Sequence, residues 1–229
     1  KVHIFVRDLV AGTTTLVSVD STDVQGNGDS SSASISDDGR YVAFESLSTN
    51  LVAPVTNGKI HIFVRDLVAK TTTLVSVNST DVQGNDDSSS ASISSDGRYV
   101  AFESAASNLV ADDTNGNTDV FVHDRDTDGD GIYDEPGAVS TTRVSVDIDG
   151  VQGNGDSNNP SMSADGSSVT FESDATNFVA NDTNSAPDIF ADDLQAGAGG
   201  DGSDGNGNSG GGCFISTAGH GFGMVEAVK

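Results

Sequence analysis

The sequence predicts an all-β fold, a run of β-propeller blades, and three observations carry that expectation. Residues 1–58 and 59–116 align without a gap and are identical at 48 of 58 positions, and a third copy starts at Asn117 and runs to Ser185. Each copy holds four short runs dominated by β-branched and aromatic residues, which is strand behaviour. No stretch sustains a helical apolar period, so helix is not expected. A fourth copy begins at Ala186 and stops after Leu194, giving three four-stranded antiparallel repeats of about 58 residues plus one extra strand.

The first strand of each unit is read at His3–Arg7, His61–Arg65 and Asp119–His123. The second falls at Thr14–Val19, Thr72–Val77 and Thr141–Val146, the third at Ala33–Ser36 and the fourth at Tyr41–Ser46. Asp38-Gly39, Asp96-Gly97 and Asp165-Gly166 separate the last two runs, and Asp-Gly suits a two-residue type I′ hairpin turn. The other connections are longer and polar. One contains Gln25-Gly26-Asn27; the other contains Asn50-Leu51-Val52, whose apolar pair should fold back to cap the core. Ile4 and Val6 oppose Phe5, while Val42 and Phe44 oppose Tyr41 and Ala43, so both faces of a unit are apolar. A sheet of that kind cannot stand alone and needs neighbours on both sides. A two-sheet sandwich is the alternative architecture.

Composition narrows the function classes. The chain has 229 residues, 10 Lys+Arg against 35 Asp+Glu, and a net charge of −25. Thirty of the acids are Asp and five are Glu, a turn-rich rather than helical balance. Such a charge repels phosphate backbones and anionic lipid and attracts cations, so nucleic-acid binding is not expected. The single cysteine, Cys213, excludes an internal disulfide or a cysteine zinc cluster. No apolar run is long enough for a membrane-spanning helix. The chain opens at Lys1 without an initiator Met, which suggests processing or excision from a longer polypeptide.

Ser-x-Asp-Gly-Arg-Tyr-Val-Ala-Phe-Glu-Ser, at Ser36–Ser46 and Ser94–Ser104, is followed by Ile-Phe-Val-Arg-Asp-Leu and Thr-Thr-Thr-Leu-Val-Ser-Val. These runs resemble the TolB-like, WD-type propeller repeat of bacterial envelope and secreted proteins, over about residues 1–194. The resemblance implies propeller blades and an extracellular, cell-surface or periplasmic location. Propellers close with about 4–8 blades. Three blades and one strand therefore imply a larger parent or closure between chains.

The sharpest chemical motif lies in an insertion of the third unit, Asp126-Thr127-Asp128-Gly129-Asp130-Gly131-Ile132-Tyr133-Asp134-Glu135. Carboxylates at Asp126, Asp128, Asp130 and Asp134, with the Ile132 carbonyl, follow the spacing of a calcium loop. Gly137 stands where a bidentate Glu belongs, so Glu135 or water would complete the shell. The run resembles calcium loops of thrombospondin type 3 and dockerin-like repeats, and Ca²⁺ is the expected cofactor. A weaker pattern recurs at Asp113, Asn115, Asp119 and at Asp182, Asn184, Asp188, with an Asx-turn network as the alternative reading.

No catalytic residue is expected. Nucleophile elbow, zincin, P-loop and dinucleotide motifs are all missing. His3, His61 and His123 read as one repeated strand position packed at a blade surface, and near-identical blades offer the same groups repeatedly rather than one unique constellation. Arg7 with Asp8, Arg65 with Asp66, and Arg40 and Arg98 near Glu45 and Glu103, read as inter-strand ion pairs. From 195 to 212 the composition is that of a flexible linker. Residues 213–229 open with Cys213-Phe214-Ile215 and resemble a short C-terminal box on bacterial surface proteins. The expected function is a non-enzymatic, exported propeller, stabilised by calcium, that binds a protein or cell-surface ligand or acts as a scaffold. The alternatives are a self-assembling surface protein and the non-catalytic propeller part of a hydrolase.

Overall fold

The computed structural model describes residues 1–180, 182, 184, 186–194 and 214–216. Every regular element among them is a β-strand, and no helix there is long and apolar enough to cross a membrane. Strands β1 (Phe5–Asp8) and β2 (Thr13–Leu16) form a two-stranded sheet. Three four-stranded antiparallel meanders follow. The first blade is β3 (Ser30–Ile35), β4 (Tyr41–Ser46), β5 (His61–Asp66) and β6 (Thr71–Leu74). The second is β7 (Ser88–Ile93), β8 (Tyr99–Ser104), β9 (Asp119–Asp124) and β10 (Ser140–Arg143). The third is β11 (Ser157–Met162), β12 (Ser168–Ser173), β13 (Asp188–Asp193) and β14 (Phe214–Ser216).

The hydrogen-bonded sheet is half a repeat out of step with the unit counted from Lys1. β4 pairs with β5 across the long polar loop, aligning Phe44 with Phe63 and Ser46 with His61, while the loop after β2 leaves one sheet for the next. Strand order in a repeat does not say which loop stays within a sheet. Pairing decides it here, because β4 and β5 can set Phe44 beside Phe63, ring centroids 5.8 Å apart, and Phe102 beside Phe121 at 5.9 Å.

The blades lie face to face and the run does not close. Three apolar clusters fill the junctions between sheets. Tyr41, Ala43, Ile62, Val64 and Val75 meet Val100, Phe102, Leu109 and Phe121 of the next blade. Ala101, Val120, Val122 and Val144 meet Val169, Phe171, Phe178 and Phe190. Val17 meets Val42, Phe44, Leu51 and Phe63. Phe44, Phe63, Phe102, Phe121 and Phe190 are fully buried, each worth about 1.5–3 kcal/mol. Leu51, Leu109 and Phe178 come from the polar loops, which fold back onto the core. Asn50, Asn108 and Asn177 pin those loops by donating from Nδ2 to the carbonyls of Gln25, Gln83 and Gln152.

Two local expectations are corrected. The Asp-Gly hairpins are not two-residue type I′ turns. Gly39, Gly97 and Gly166 take positive φ, but Asp38, Asp96 and Asp165 do not. The Gly39 N–H donates to the Ser36 carbonyl and the Asp38 carboxylate accepts from Ser36 Oγ and the Arg40 N–H, so the Asx side chain builds a longer loop. The third strand is also longer than its apolar run. β3 starts at Ser30 and carries a bulge between Ser31 and Ser34, with Ser32 at φ 47°; Ser90 and Asn159 repeat it at 57° and 53°.

Candidate functional site

The insertion of the third unit gathers three of its carboxylates. Oxygen atoms of Asp126, Asp128 and Asp130 lie within 4.8 Å of one another. Asp126 is buried and organises the loop: its Oδ1 accepts from the Gly129 and Asp130 N–H groups at 2.9 and 3.2 Å, and its Oδ2 from Gly131 at 3.0 Å. Burial would raise the Asp126 carboxyl, but the N–H donors of Gly131 and Gly129 outweigh it and hold the group below the usual range. Gly129 and Gly131 supply the positive φ values, 72° and 85°, that let the chain curl round this side chain.

Asp134 is placed elsewhere. Its carboxylate receives both arms of the buried Arg125 guanidinium, Nε at 2.8 Å and Nη2 at 2.5 Å. Arg125 also donates to the Gly97 carbonyl at 2.7 Å and lies 5.1 Å from the ring centres of Tyr41 and Tyr133. That wedge locks the base of the acidic loop onto the neighbouring blade, leaving Asp128 and Asp130 exposed above it. Ile132 is exposed, and Glu135 is half-buried with its carbonyl accepting from Ala138.

The weaker acidic pattern surrounds a guanidinium. Arg143 Nη1 lies 3.2 Å from Asp113 and 3.4 Å from Asp119, and Asp119 also accepts from Ser145 Oγ at 2.6 Å. Asn115 donates to Asp119 as well. Burial, and then the nearby Asp119 charge, raise the Asp113 carboxyl, with Arg143 opposing both. In the preceding unit the same three places hold Val55, His61 and Leu74. That exchange of a whole set between repeats was the available signal for the Arg143 pair, and composition alone does not reveal it. At the third occurrence Asn184 donates to Asp188 at 3.2 Å and its N–H to Asp182 at 3.3 Å.

The histidines and the repeated charges have other places than expected. His61 occupies the position of His3 and Asp119, whereas His123 replaces Arg65 opposite Val100. Both are fully buried rather than at a blade surface, and each ring meets a hydroxyl: His61 Nδ1 and Ser76 Oγ, just past β6, at 3.0 Å, and His123 Nδ1 and Thr141 Oγ1 of β10 at 2.9 Å. Burial pushes both imidazoles down to about 4. Arg40 forks onto Asp66, Arg98 onto Asp124, and Arg65 reaches Asp23 of the loop between β2 and β3. Their partners are therefore not Glu45, Glu103 or the adjacent Asp. Glu45 Oε1 instead accepts from the Ser90 N–H of the next blade at 2.7 Å, and Glu103 Oε2 from Asn159 at 2.7 Å.

A groove of about 560 Å³ opens beside the first blade, where Asp20, Thr22, Val52, Pro54, Leu74 and Gln83 line it. It is shallow, and its walls are mainly apolar, with Leu51, Ala53 and Val77 beside short polar side chains.

No family model and no curated protein matches the chain. Among solved structures it is similar to TolB from Acinetobacter baumannii, with 21% identity, a TM-score of 0.45, and coverage of 84% of this chain and 35% of that one. It is similar to a putative TolB from Agrobacterium tumefaciens at 14% identity and a TM-score of 0.48, covering 93% of this chain and 55% of that one. The tricorn protease matches at 15% identity and a TM-score of 0.47, over 84% of this chain and 20% of that one. The chain thus spans about a third to a half of the length of the TolB structures. Sheet order, register and face-to-face packing make the chain an open run of β-propeller blades.

Proposed function

We propose that the chain is a non-enzymatic binding or scaffolding module of the cell envelope or exterior, stabilised by Ca²⁺ on the acidic loop of its third unit. The observation that supports the reading is the fate of the repeated polar side chains. Glu45 and Glu103 hold the next blade's backbone, and Arg40, Arg98 and Arg65 hold aspartates. His61 and His123 are buried neutral against hydroxyls. These groups are committed to joining strands and blades, which leaves loops and grooves as the surface for a partner. The net charge of −25 favours a partner with a basic face.

The calcium element rests on Asp126, Asp128 and Asp130, whose clustered charges repel one another without a cation. Asp134 is engaged by Arg125, so the remaining ligands would come from the Ile132 carbonyl, Glu135 and water. Calcium titration followed by thermal melting tests it. Calcium at a hundredfold excess over Kd contributes about 2.7 kcal/mol, or roughly 5–10 °C in Tm for a chain of this size. Asp128→Asn should abolish the rise, and no shift at millimolar Ca²⁺ in the wild type would remove calcium from the reading. For the binding element, the immobilised chain is measured against purified envelope proteins, with Val52→Asp in the groove as the control. Binding lost in the variant supports the reading. Hydrolysis of peptide p-nitroanilides by the wild type would overturn it in favour of a hydrolase.

A further inference from the structure

The groove beside the first blade lies where the second blade seats an arginine. Leu74 and Gln83 of its lining correspond to Arg143 and Gln152, and Arg143 Nη1 bonds Gln152 Oε1 at 3.0 Å besides meeting Asp113 and Asp119. Val55 and His61 stand at the two acid positions in the first blade, so the guanidinium and its partners are exchanged together for uncharged groups. A bridging contact changes as well. Beside the second blade Asn78 Nδ2 reaches the Asn108 carbonyl at 3.5 Å, whereas Asp20, at the position of Asn78, has no N–H to offer the Asn50 carbonyl. Asp20 and Asn50 both line the resulting space of about 560 Å³.

One wall of that space is the free edge of a strand. Thr72, Thr73 and Leu74 line it in succession, although neighbouring side chains leave a strand on opposite faces, so the groove runs along the side of β6. β6 is the last strand of its sheet. Val75 donates to the Ile62 carbonyl at 2.9 Å, which by alternation turns the N–H and C=O groups of Thr72 and Leu74 away from β5. Ser21 Oγ takes the Thr72 N–H at 3.0 Å, but among the described residues nothing takes the Leu74 N–H or C=O. Leu51, Val52, Pro54 and Val77 supply the apolar surface beside this edge. The charged residues of the lining are Asp20 and Asp81, and no Lys, Arg or His joins them.

We propose that this groove takes an extended segment of a partner protein, added as a strand to the β6 edge, with an apolar side chain against Leu51, Val52 and Leu74 and an adjacent Lys or Arg facing Asp20 and Asp81. The inference rests on the reading of the chain as a binding module and names the chemistry of the partner. A strand meets both free backbone groups at once, its carbonyl accepting from the Leu74 N–H and its N–H donating to the Leu74 carbonyl. A compact apolar ligand would cover that pair without meeting it, and an acidic segment would face two like charges.

The test is selection of a displayed random heptapeptide library on the immobilised full chain. Enriched sequences should alternate apolar with polar residues and carry Lys or Arg next to an apolar one. A fluorescent peptide of the enriched consensus is then titrated by anisotropy. Leu74→Arg, which installs the second blade's own side chain, should weaken binding about tenfold, and Ala53→Arg, at an exposed wall position, should do the same. Asp81→Asn should cost about threefold, and binding should fall as salt rises. N-methylation of the peptide amide opposed to Leu74 should cost about tenfold, and of its immediate neighbours much less, because neighbouring amides point away from the edge. No enrichment, enriched acidic sequences, full binding by both arginine variants, or N-methylation that is harmless at every amide would each overturn the proposal. Envelope proteins bound equally by Ala53→Arg and wild type would sink the groove and spare the binding module, whereas cleavage of the peptide would sink both.

Discussion

The ring of Tyr41 lies against Gly97 of the next blade so closely that a Cβ built on the glycine would fall 2.2 Å from Tyr41 Cδ2. Tyr99 stands over Gly166 in the same way, at 2.3 Å. Gly39, at the same turn position with φ 72°, has nothing within 4 Å. Gly97→Ala and Gly166→Ala should therefore cost about 2–4 kcal/mol, from left-handed strain plus overpacking, and Gly39→Ala only about 1 kcal/mol. Urea denaturation of the three variants checks this, and equal losses would show that the tyrosine contact contributes nothing.

Removing the carboxylate of Glu103 takes away the inter-blade acceptor of the exposed Asn159 N–H. Glu103→Ala should lose about 0.5–1.5 kcal/mol, since water can reach the freed N–H, and Glu103→Gln, which keeps an acceptor oxygen, less. Glu172→Ala, the same residue type with no backbone N–H of another blade on it among the described residues, should lie within about 0.5 kcal/mol of wild type. Thermal melts of the three at low protein concentration separate them.

Arg143 sits between Asp113 and Asp119, so Arg143→Leu leaves two acids without their cation. That single change should cost about 3–5 kcal/mol. Adding Asp113→Val and Asp119→His rebuilds the set that the second unit already uses at Val55, His61 and Leu74, and should recover most of the loss. A triple variant no more stable than Arg143→Leu would show that the sets are not interchangeable.

His61 and His123 make stability depend on pH. Burial lowers both from 6.5 to about 4, so between those values the unfolded chain binds more protons than the folded one. Stability is complete above pH 6.5 and falls as pH drops toward 4, by about 2 kcal/mol per histidine at pH 5. Denaturant midpoints over that range read it directly. A His61→Asn, His123→Gln double variant should flatten the slope.

Much of the fold was legible in the repeat. The β-branched runs located the strands, and doubly apolar faces such as Tyr41-Val42-Ala43-Phe44 required sheets on both sides. The half-repeat offset was not legible, since β4 can pair with β5 only through a loop whose polar composition resembles the one that leaves the sheet. The acidic loop was visible as a motif, but its division was not. Arg125, adjacent in sequence to Asp126, takes Asp134 because the Tyr41 ring and the Gly97 carbonyl fix where the guanidinium lies. The ring comes from the preceding blade and the carbonyl from the β7–β8 hairpin, 28 residues away in the loop's own blade. His123 was misaligned because its strand begins with Asp119 in place of a histidine, and only the ladder register settles the match.

The half-repeat offset has a mechanical consequence. Each covalent copy of the motif is split between two sheets, in the manner of bricks laid with staggered joints. Pulling one copy out of the row tears the sheets on both sides of it, whereas severing the chain in the loops after β6 or β10 spares every sheet. Fragments cut at 74–88 or 143–157 should thus keep intact layers. Fragments cut at the apparent motif boundary of 58 or 116 would each carry half of one.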